Sequence, residues 1–449
     1  MKKHSYIPNT ETDRGEMLKT LGIQSVEELF SDIPEAVRLK RDLNIPAAWS
    51  EIELYRHFAA MAGKNANLEE YVSFLGAGAY QHYIPATVDA IVSRSEFYTA
   101  YTPYQPEISQ GILQAIFEYQ TMVCQLTGMD VSNASMYDGP SALAEAGIMA
   151  CAATRRSKLL VSRGVNPEYR AVVKTYAYGQ NIEVIEVGVD NGATGLQDLE
   201  SKLGDDIAGV LVQYPNFFGS IEDLKTISEL AHRHKALFVT AVNPIAMGLL
   251  EAPGKFGADI VVAEGQPLGN SVSFGGPYLG MLATTKDLVR RVPGRVVGQT
   301  RDLDGRRAFV LTLQAREQHI RREKASSNIC SNQALNALAS TVYLSCMGKQ
   351  GLQDVAKLNL QKAHYAYHKL TSVKGVEPLF NAPFFNEFAV IVSGNPTEIN
   401  RKLLESKIIG GYDLGRVYPE YKGGLLFAVT ELRTKEEIDL LAERLEAII

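Results

Sequence analysis

The chain has 449 residues, 46 % of them hydrophobic and 21 % charged, enough apolar material for a buried core and enough length for two or three domains. Its net charge of −6, from 45 basic and 51 acidic residues, supplies no basic stripe and argues against a nucleic-acid surface. The four cysteines, Cys124, Cys151, Cys330 and Cys346, share no metal or redox spacing, so free thiols in a reducing compartment are expected.

The start, MKKHSYIPNTETDRGE, has two lysines with no apolar stretch behind them. It reads as neither a signal peptide nor a membrane span, so a cytoplasmic protein without a membrane partner is the expectation. Residues 1–70 read as a helical arm. Ser25 and Glu28 have capping-box spacing, and Met17, Leu18, Leu21, Val26 and Leu29 recur at helical intervals. No strand separates these helices, so the arm must pack on the rest of the chain or on a partner.

A stretch rich in Gly, Pro and Tyr follows over 74–111, and then a helix over 112–127 that Gly128 ends. Long loops of such composition inside a folded chain usually carry function. From Lys158 to Thr284 apolar runs alternate with helical patterns. Strands are expected over 159–162, 182–187, 209–213, 237–242, 259–263 and 278–283. The runs are continuously apolar, as in strands covered on both faces, which predicts an α/β domain with a mostly parallel sheet. Ligands of such sheets bind beyond the carboxyl ends of the strands.

Residues 286–330 read as charged loop, and 333–373 as a long helical region. The tail reads strand 387–392, helix 396–406, strand 425–429, helix 435–448. The domains expected are therefore an arm (1–70), a large α/β domain (71–330) and a small C-terminal α+β domain (331–449).

Five stretches stand out: GAGAYQHYIP from Gly76, EFYTAYTPYQPEISQG from Glu96, LTGMDVSNASMYDGPSALAEA from Leu126, EGQPLGNSVSFGGPYLG from Glu264 and REKASSNICSNQ from Arg322. They closely resemble the P protein of the glycine cleavage system, in particular the alpha half of its split bacterial form. The resemblance extends over nearly the whole chain. It implies a pyridoxal-phosphate (PLP) transferase-like fold of type I. It also implies a complex that decarboxylates glycine with PLP, releases CO2 and passes the aminomethyl group to the lipoyl arm of H protein. The implied partners are a beta subunit, in an α2β2 assembly, the lipoyl H protein, and the T and L proteins of the same system.

PLP enzymes hold the cofactor through a lysine and charge its ring nitrogen with a carboxylate. In fold-type I relatives the lysine sits in the loop after the strand at 259–263. Here Gln266 and Pro267 stand there, with Lys255 and Lys286 both outside the loop. The strand at 237–242 carries Thr240 about where the acid belongs. Two absences at sites that must act together imply that PLP is bound covalently by the beta subunit. No catalytic residue is then expected in this chain alone. Its contribution at the subunit interface is expected from Tyr98, Tyr101, Thr102, Tyr104, Gln105 and Glu107, with His82 from the Gly-rich loop. Tyrosines suit such a site because each joins an apolar ring to one hydrogen-bonding tip. Equally, they would serve an interface by packing alone.

Ser135, Tyr137 and Asp138 precede a helix expected over 141–153. Such a helix start binds anions in an ordinary PLP fold, and here is either vestigial or structural. Ser326 and Asn328, beside the charged run 321–324, either reach a partner's phosphate or flank a solvated surface. His364 and His368 share a helix face without a carboxylate motif, so no metal is expected. A self-sufficient PLP enzyme on another amino acid and a non-catalytic scaffold of the beta subunit remain the alternative readings.

Overall fold

The computed structural model describes residues 6–449, so the Lys2–Lys3 start lies outside the described residues. They form two compact units, one ending at Ala66 and the other spanning Asn67–Ile449.

The first unit has helices Glu11–Leu21 and Glu51–Ala62 and a short 3-10 turn, Val26–Phe30. Thr10 caps the first helix by accepting from the Asp13 N–H at 3.2 Å, and Gly22 ends it in a left-handed conformation. The expected capping box forms, with Ser25 N donating to Glu28 Oε1 at 3.0 Å, but it starts the 3-10 turn rather than an α-helix. None of residues 6–66 is buried, and Leu29, Phe30, Trp49 and Phe58 are exposed. By its own contacts this unit builds no core.

The second unit is built on a seven-stranded sheet. Its strands in chain order are β1 (Val131–Ser132), β2 (Lys158–Ser162), β3 (Glu183–Val187), β4 (Ile207–Tyr214), β5 (Leu237–Val242), β6 (Ile260–Glu264) and β7 (Gly280–Thr284). Their spatial order is β1-β7-β6-β5-β4-β2-β3. The five strands from β6 to β3 are parallel, and β7 runs antiparallel to both its neighbours.

Alternation along each strand divides the core into two layers, because successive side chains point to opposite faces. Phe238, Val242, Val261 and Ala263 join one cluster with Tyr119 and Val123 of helix α1 (Gln110–Thr127). Val239, Ala241, Ile260 and Val262 join the other with Leu143, Ala146 and Met149 of helix α2 (Gly139–Thr154). Both faces are covered, which is why the sequence shows apolar runs instead of alternation.

The expected loop over 286–330 is corrected by the structure. Val296–Arg301 and Arg307–Thr312 pair as an antiparallel hairpin, turned by Asp302, whose carboxylate accepts from the N–H groups of Asp304 and Arg306. The long helical region is two helices joined at Gly348, where φ is 59° and ψ −172°. At the C-terminal end a four-stranded antiparallel sheet carries helices Pro396–Glu405 and Lys435–Ile448 on its own buried layer.

This small sheet docks on the exit of β4. Phe217 and Phe218 pack with Ala389, Leu426 and Tyr418, and the Phe385 N–H donates to Gly219 O at 3.1 Å. Gly219 has φ of +85°, and a Cβ there would lie 1.9 Å from Glu387 O. Gly305, in the hairpin turn, has φ of +78° with nothing within 4 Å. Gly219→Ala is expected to cost about 3–5 kcal/mol by urea unfolding, since strain and overlap add, and Gly305→Ala only about 1 kcal/mol. Equal losses would show that the close approach contributes nothing.

Candidate functional site

The carboxyl ends of the parallel strands carry Gln213 on β4, Val242 and Asn243 on β5, and Glu264 on β6. Glu264 is buried and its carboxylate accepts three backbone N–H bonds: from Gly139 at 2.9 Å, Gln266 at 3.0 Å and Leu279 at 2.9 Å. It thereby ties the start of α2, the loop after β6 and the approach to β7 to one point. Asp138 caps the same helix by accepting from Ser141 N at 2.8 Å. The helix start is served by two of the chain's own carboxylates, which is the stabilising charge for that end of a helix. Tyr169 closes over it, since a Cβ on Gly139 would lie 2.4 Å from the Tyr169 hydroxyl.

Gln266 is folded back and buried. Its Oε1 accepts from Tyr80 N at 2.9 Å and its Nε2 donates to Tyr80 O at 2.9 Å, so the amide pairs with both backbone groups of one residue of the Gly-rich loop. The Tyr80 hydroxyl donates to Glu387 Oε2 at 2.6 Å, and Ala77 N donates to Glu387 Oε1 at 2.7 Å. Residues 77–80 are thus laid across the strand ends and held from the loop after β6 and from the C-terminal sheet. The cavity that remains, lined by Gly78, Tyr80, Tyr169, Asn243 and Pro267 among others, measures about 30 Å³. Thr240 lies inside β5 on the face it shares with Phe238 and Val242, with a hydroxyl that is buried and unpartnered.

The tyrosine loop lies apart from this clamp. Tyr98 is 67 % exposed, Tyr101 85 % and Tyr104 52 %; Gln105 and Glu107 are exposed as well, and Thr102 is half-buried. Tyr104 is tethered: its hydroxyl accepts from Arg295 Nη2 at 3.1 Å, and the guanidinium lies 5.5 Å from its ring centroid. His82 is buried under the Gly-rich loop with Nδ1 2.8 Å from Glu431 Oε2.

Ser135 accepts at its Oγ from Asn332 Nδ2 at 3.1 Å and from Gln333 N at 3.0 Å, and the Tyr137 hydroxyl accepts from Cys330 N at 3.3 Å. These residues are joined to the 330–333 stretch. Ser326 and Asn328 border a separate wide cleft of about 580 Å³ beside Glu145 and Tyr176, away from the strand ends. His364 stacks on Phe384 at 4.2 Å between ring centroids, and His368 packs edge-on against Tyr367. Sequence reasoning missed Tyr80, Glu264, Arg295 and Glu387. Most of their partners are distant along the chain, so no local pattern marks them. The only local signal is the position of Glu264, a carboxylate ending an apolar run.

The sequence profile described as glycine cleavage system P-protein matches residues 4–445. The chain belongs to this family. A probable glycine dehydrogenase (decarboxylating) subunit 1 from Geobacillus kaustophilus is 60 % identical over 442 residues, 98 % of each chain. The crystal structure of glycine decarboxylase (P-protein) of the glycine cleavage system, in an inhibitor-bound form, is 43 % identical. The match covers 99 % of this chain and 100 % of that one, with a TM-score of 0.92. Glutamate decarboxylase of Lactobacillus brevis, 12 % identical with a TM-score of 0.71 over 94 % of this chain and 97 % of that one, shares the fold alone. The fold is that of the type I PLP-dependent enzymes, and PLP is a cofactor found among its members.

The strand-end site of this P-protein family member does not fit PLP. Ligand pockets run to roughly 300–1,000 Å³, and a space of about 30 Å³ holds on the order of two waters. The cavity lining contains no lysine, and Thr240 offers no charge for a ring nitrogen. Among the described residues there is no cluster of three or more His, Cys, Asp and Glu able to hold a metal, and no helix long and apolar enough to cross a membrane. All four cysteines are free.

Burial raises the carboxyls of Glu264, Glu387 and Glu222, the last of which accepts from Thr194 N and Asn216 Nδ2, from 4.5 to about 7. In the unfolded chain they titrate near the ordinary value, so between these two points the native state binds more protons. Stability is therefore highest below the window and falls as pH rises through it. The urea midpoint is expected to be higher at pH about 5.5 than at about 8, each group contributing on the order of 1–3 kcal/mol. Glu387→Gln should shrink the fall. A midpoint that rises over this interval would contradict the assignment.

Proposed function

We propose that this chain is the subunit without a cofactor lysine in a two-chain glycine-decarboxylating P-protein. Its relatives are named subunit 1, which implies at least one further subunit. In this reading the partner is a beta subunit that carries PLP on its own lysine. The complex decarboxylates glycine, releases CO2 and passes the aminomethyl group to the lipoyl arm of H protein, with the T and L proteins acting further along.

The observation that carries the reading is the Gln266 clamp. Where a type I enzyme keeps its lysine, this chain has a buried amide that satisfies both backbone groups of Tyr80, followed by Pro267. Opening that space for a cofactor would leave several buried polar groups unpaired, at about 1–3 kcal/mol each. The exposed tyrosine loop is the surface that would meet the partner. Exposed aromatic rings with polar tips are enriched at such contacts.

The pure chain mixed with PLP and borohydride is expected to retain no cofactor. Mixed with a lysine-bearing partner it should support exchange of the glycine carboxyl with bicarbonate. Cofactor fixed to a lysine of this chain alone would overturn the proposal. Within the pair, Tyr101→Ala and Tyr104→Ala are expected to lower that exchange tenfold or more while the subunits still co-elute. Unchanged exchange would reduce the loop to a packing surface.

A further inference from the structure

The wide cleft of about 580 Å³ opens between α2, helix Pro167–Tyr178 and residues 323–329. Its size falls within the roughly 300–1,000 Å³ of small-molecule sites. None of the residues that line it belongs to the strand-end clamp or to the tyrosine loop.

Glu145, on α2, borders this cleft and is only 4 % exposed. Its Oε1 accepts from the Ser327 hydroxyl at 2.8 Å. Its Oε2 receives no hydrogen bond from the described residues and is not sealed from solvent, so it opens on the cleft. The other buried carboxylates are better served. Glu264 accepts three N–H groups, Glu387 the Ala77 N–H and the Tyr80 hydroxyl, and Glu222 the Thr194 N–H and Asn216 Nδ2. Among the described residues no cation pairs with Glu145. Arg321, Arg322 and Lys324 come shortly before Ser327 in the chain, but none of them borders the cleft, and the other charged residue in its lining is Glu323.

A buried carboxylate with one neutral donor is costly in its charged form, and burial pushes the Glu145 carboxyl up to about 7. A cation in the cleft supplies the missing partner. The rest of the lining favours the same sign. Helix Pro167–Tyr178 ends at the cleft with no basic residue in its last turn, and the carboxyl end of a helix attracts positive charge. Tyr137 and Tyr176 bring rings of the kind that attract cations, and Gln180 and Asn328 bring amide oxygens. A phosphate would meet two carboxylates and no basic side chain. A hard metal ion needs several oxygen ligands, and no cluster of three or more His, Cys, Asp and Glu exists among the described residues. An ammonium group needs only one carboxylate and polar or aromatic surroundings.

We propose that this cleft binds a small organic ammonium ion, paired with Glu145 Oε2 and bordered by the rings of Tyr137 and Tyr176. Binding requires only this chain, with neither partner subunit nor cofactor, so the site stands or falls separately from the subunit assignment.

The test titrates the full chain with ethylammonium chloride or potassium chloride, at matched ionic strength and pH about 8, while thermal unfolding is followed. Ligands that bind only the native state raise the midpoint along a saturable curve. Ethylammonium is expected to give such a curve beyond potassium, with an apparent Kd that rises tenfold or more in Glu145→Gln. That variant keeps an oxygen for the Ser327 hydroxyl and removes only the charge. The cation competes with a proton for Glu145, so the parent's apparent Kd should rise about tenfold between pH about 8 and about 6, either side of the raised pKa. Loss of this dependence in Glu145→Gln separates Glu145 from the other ionisable groups on the cleft, Tyr137, Tyr176 and Glu323. An ethylammonium curve that matches potassium's, or that is the same in Glu145→Gln, refutes the site. So does a parent Kd that is constant between the two pH values, a readout that needs no variant to fold.

Discussion

The carboxylate of Glu264 is the constraint on which the centre of this molecule depends. It sits at the end of β6, buried, and accepts N–H bonds from three segments: the start of α2, the loop after β6 and the approach to β7. A buried carboxylate is costly unless hydrogen-bonded, and three backbone donors offset much of that cost. Burial still raises its pKa to about 7, so the balance stays sensitive to pH. The geometry has a direct functional consequence. Part of the space beyond the strand ends, where an open sheet of this kind receives its ligand, is filled by the chain's own carboxylate.

The second layer of the closure works through Tyr80. Its backbone is paired by Gln266 and its hydroxyl by Glu387, so a single residue links the loop after β6 to the C-terminal sheet. The same Glu387 backbone passes within van der Waals contact of Gly219, at the exit of β4. Strand ends, Gly-rich loop and small sheet therefore form one interlocked body. Closure of this kind ties the strand-end face to the rest of the chain, while the rings of Tyr98 and Tyr101 stay exposed.

How far the sequence reveals this depends on the range of the interactions. The strands β4, β5 and β6 were legible because coverage on both faces turns them into apolar runs, and α1 because Gly128 ends it. The hairpin at 296–312 was hidden. Its exposed positions, Gln299, Thr300, Arg301 and Arg307, interrupt the apolar pattern and read as charged loop. The break at Gly348 was lost inside a long helical pattern, since one glycine alone is a weak signal there. At the site, Gln266 and Pro267 could be read directly in the loop after β6. What Gln266 pairs with could not, because Tyr80 meets Gln266 from 186 residues away and Glu387 from 307. Arg295 shows the same limit: its sequence neighbours give no hint that it is buried without a carboxylate.

The tyrosine loop combines exposure with restraint. Pro103 and Pro106 fix two backbone torsions, and Tyr104 is tied by its hydroxyl and its ring to Arg295, while Tyr98 and Tyr101 stand in solvent. A surface that must order itself on contact loses affinity for every side chain it immobilises. Here the backbone is already set and the exposed rings have only two torsions each, so covering them costs little entropy. That arrangement depends on Arg295, which holds the loop from behind and, among the described residues, has no carboxylate within ion-pair distance. One pair of side chains, Tyr104 and Arg295, thus restrains the loop from beneath while the rings of Tyr98 and Tyr101 stay exposed.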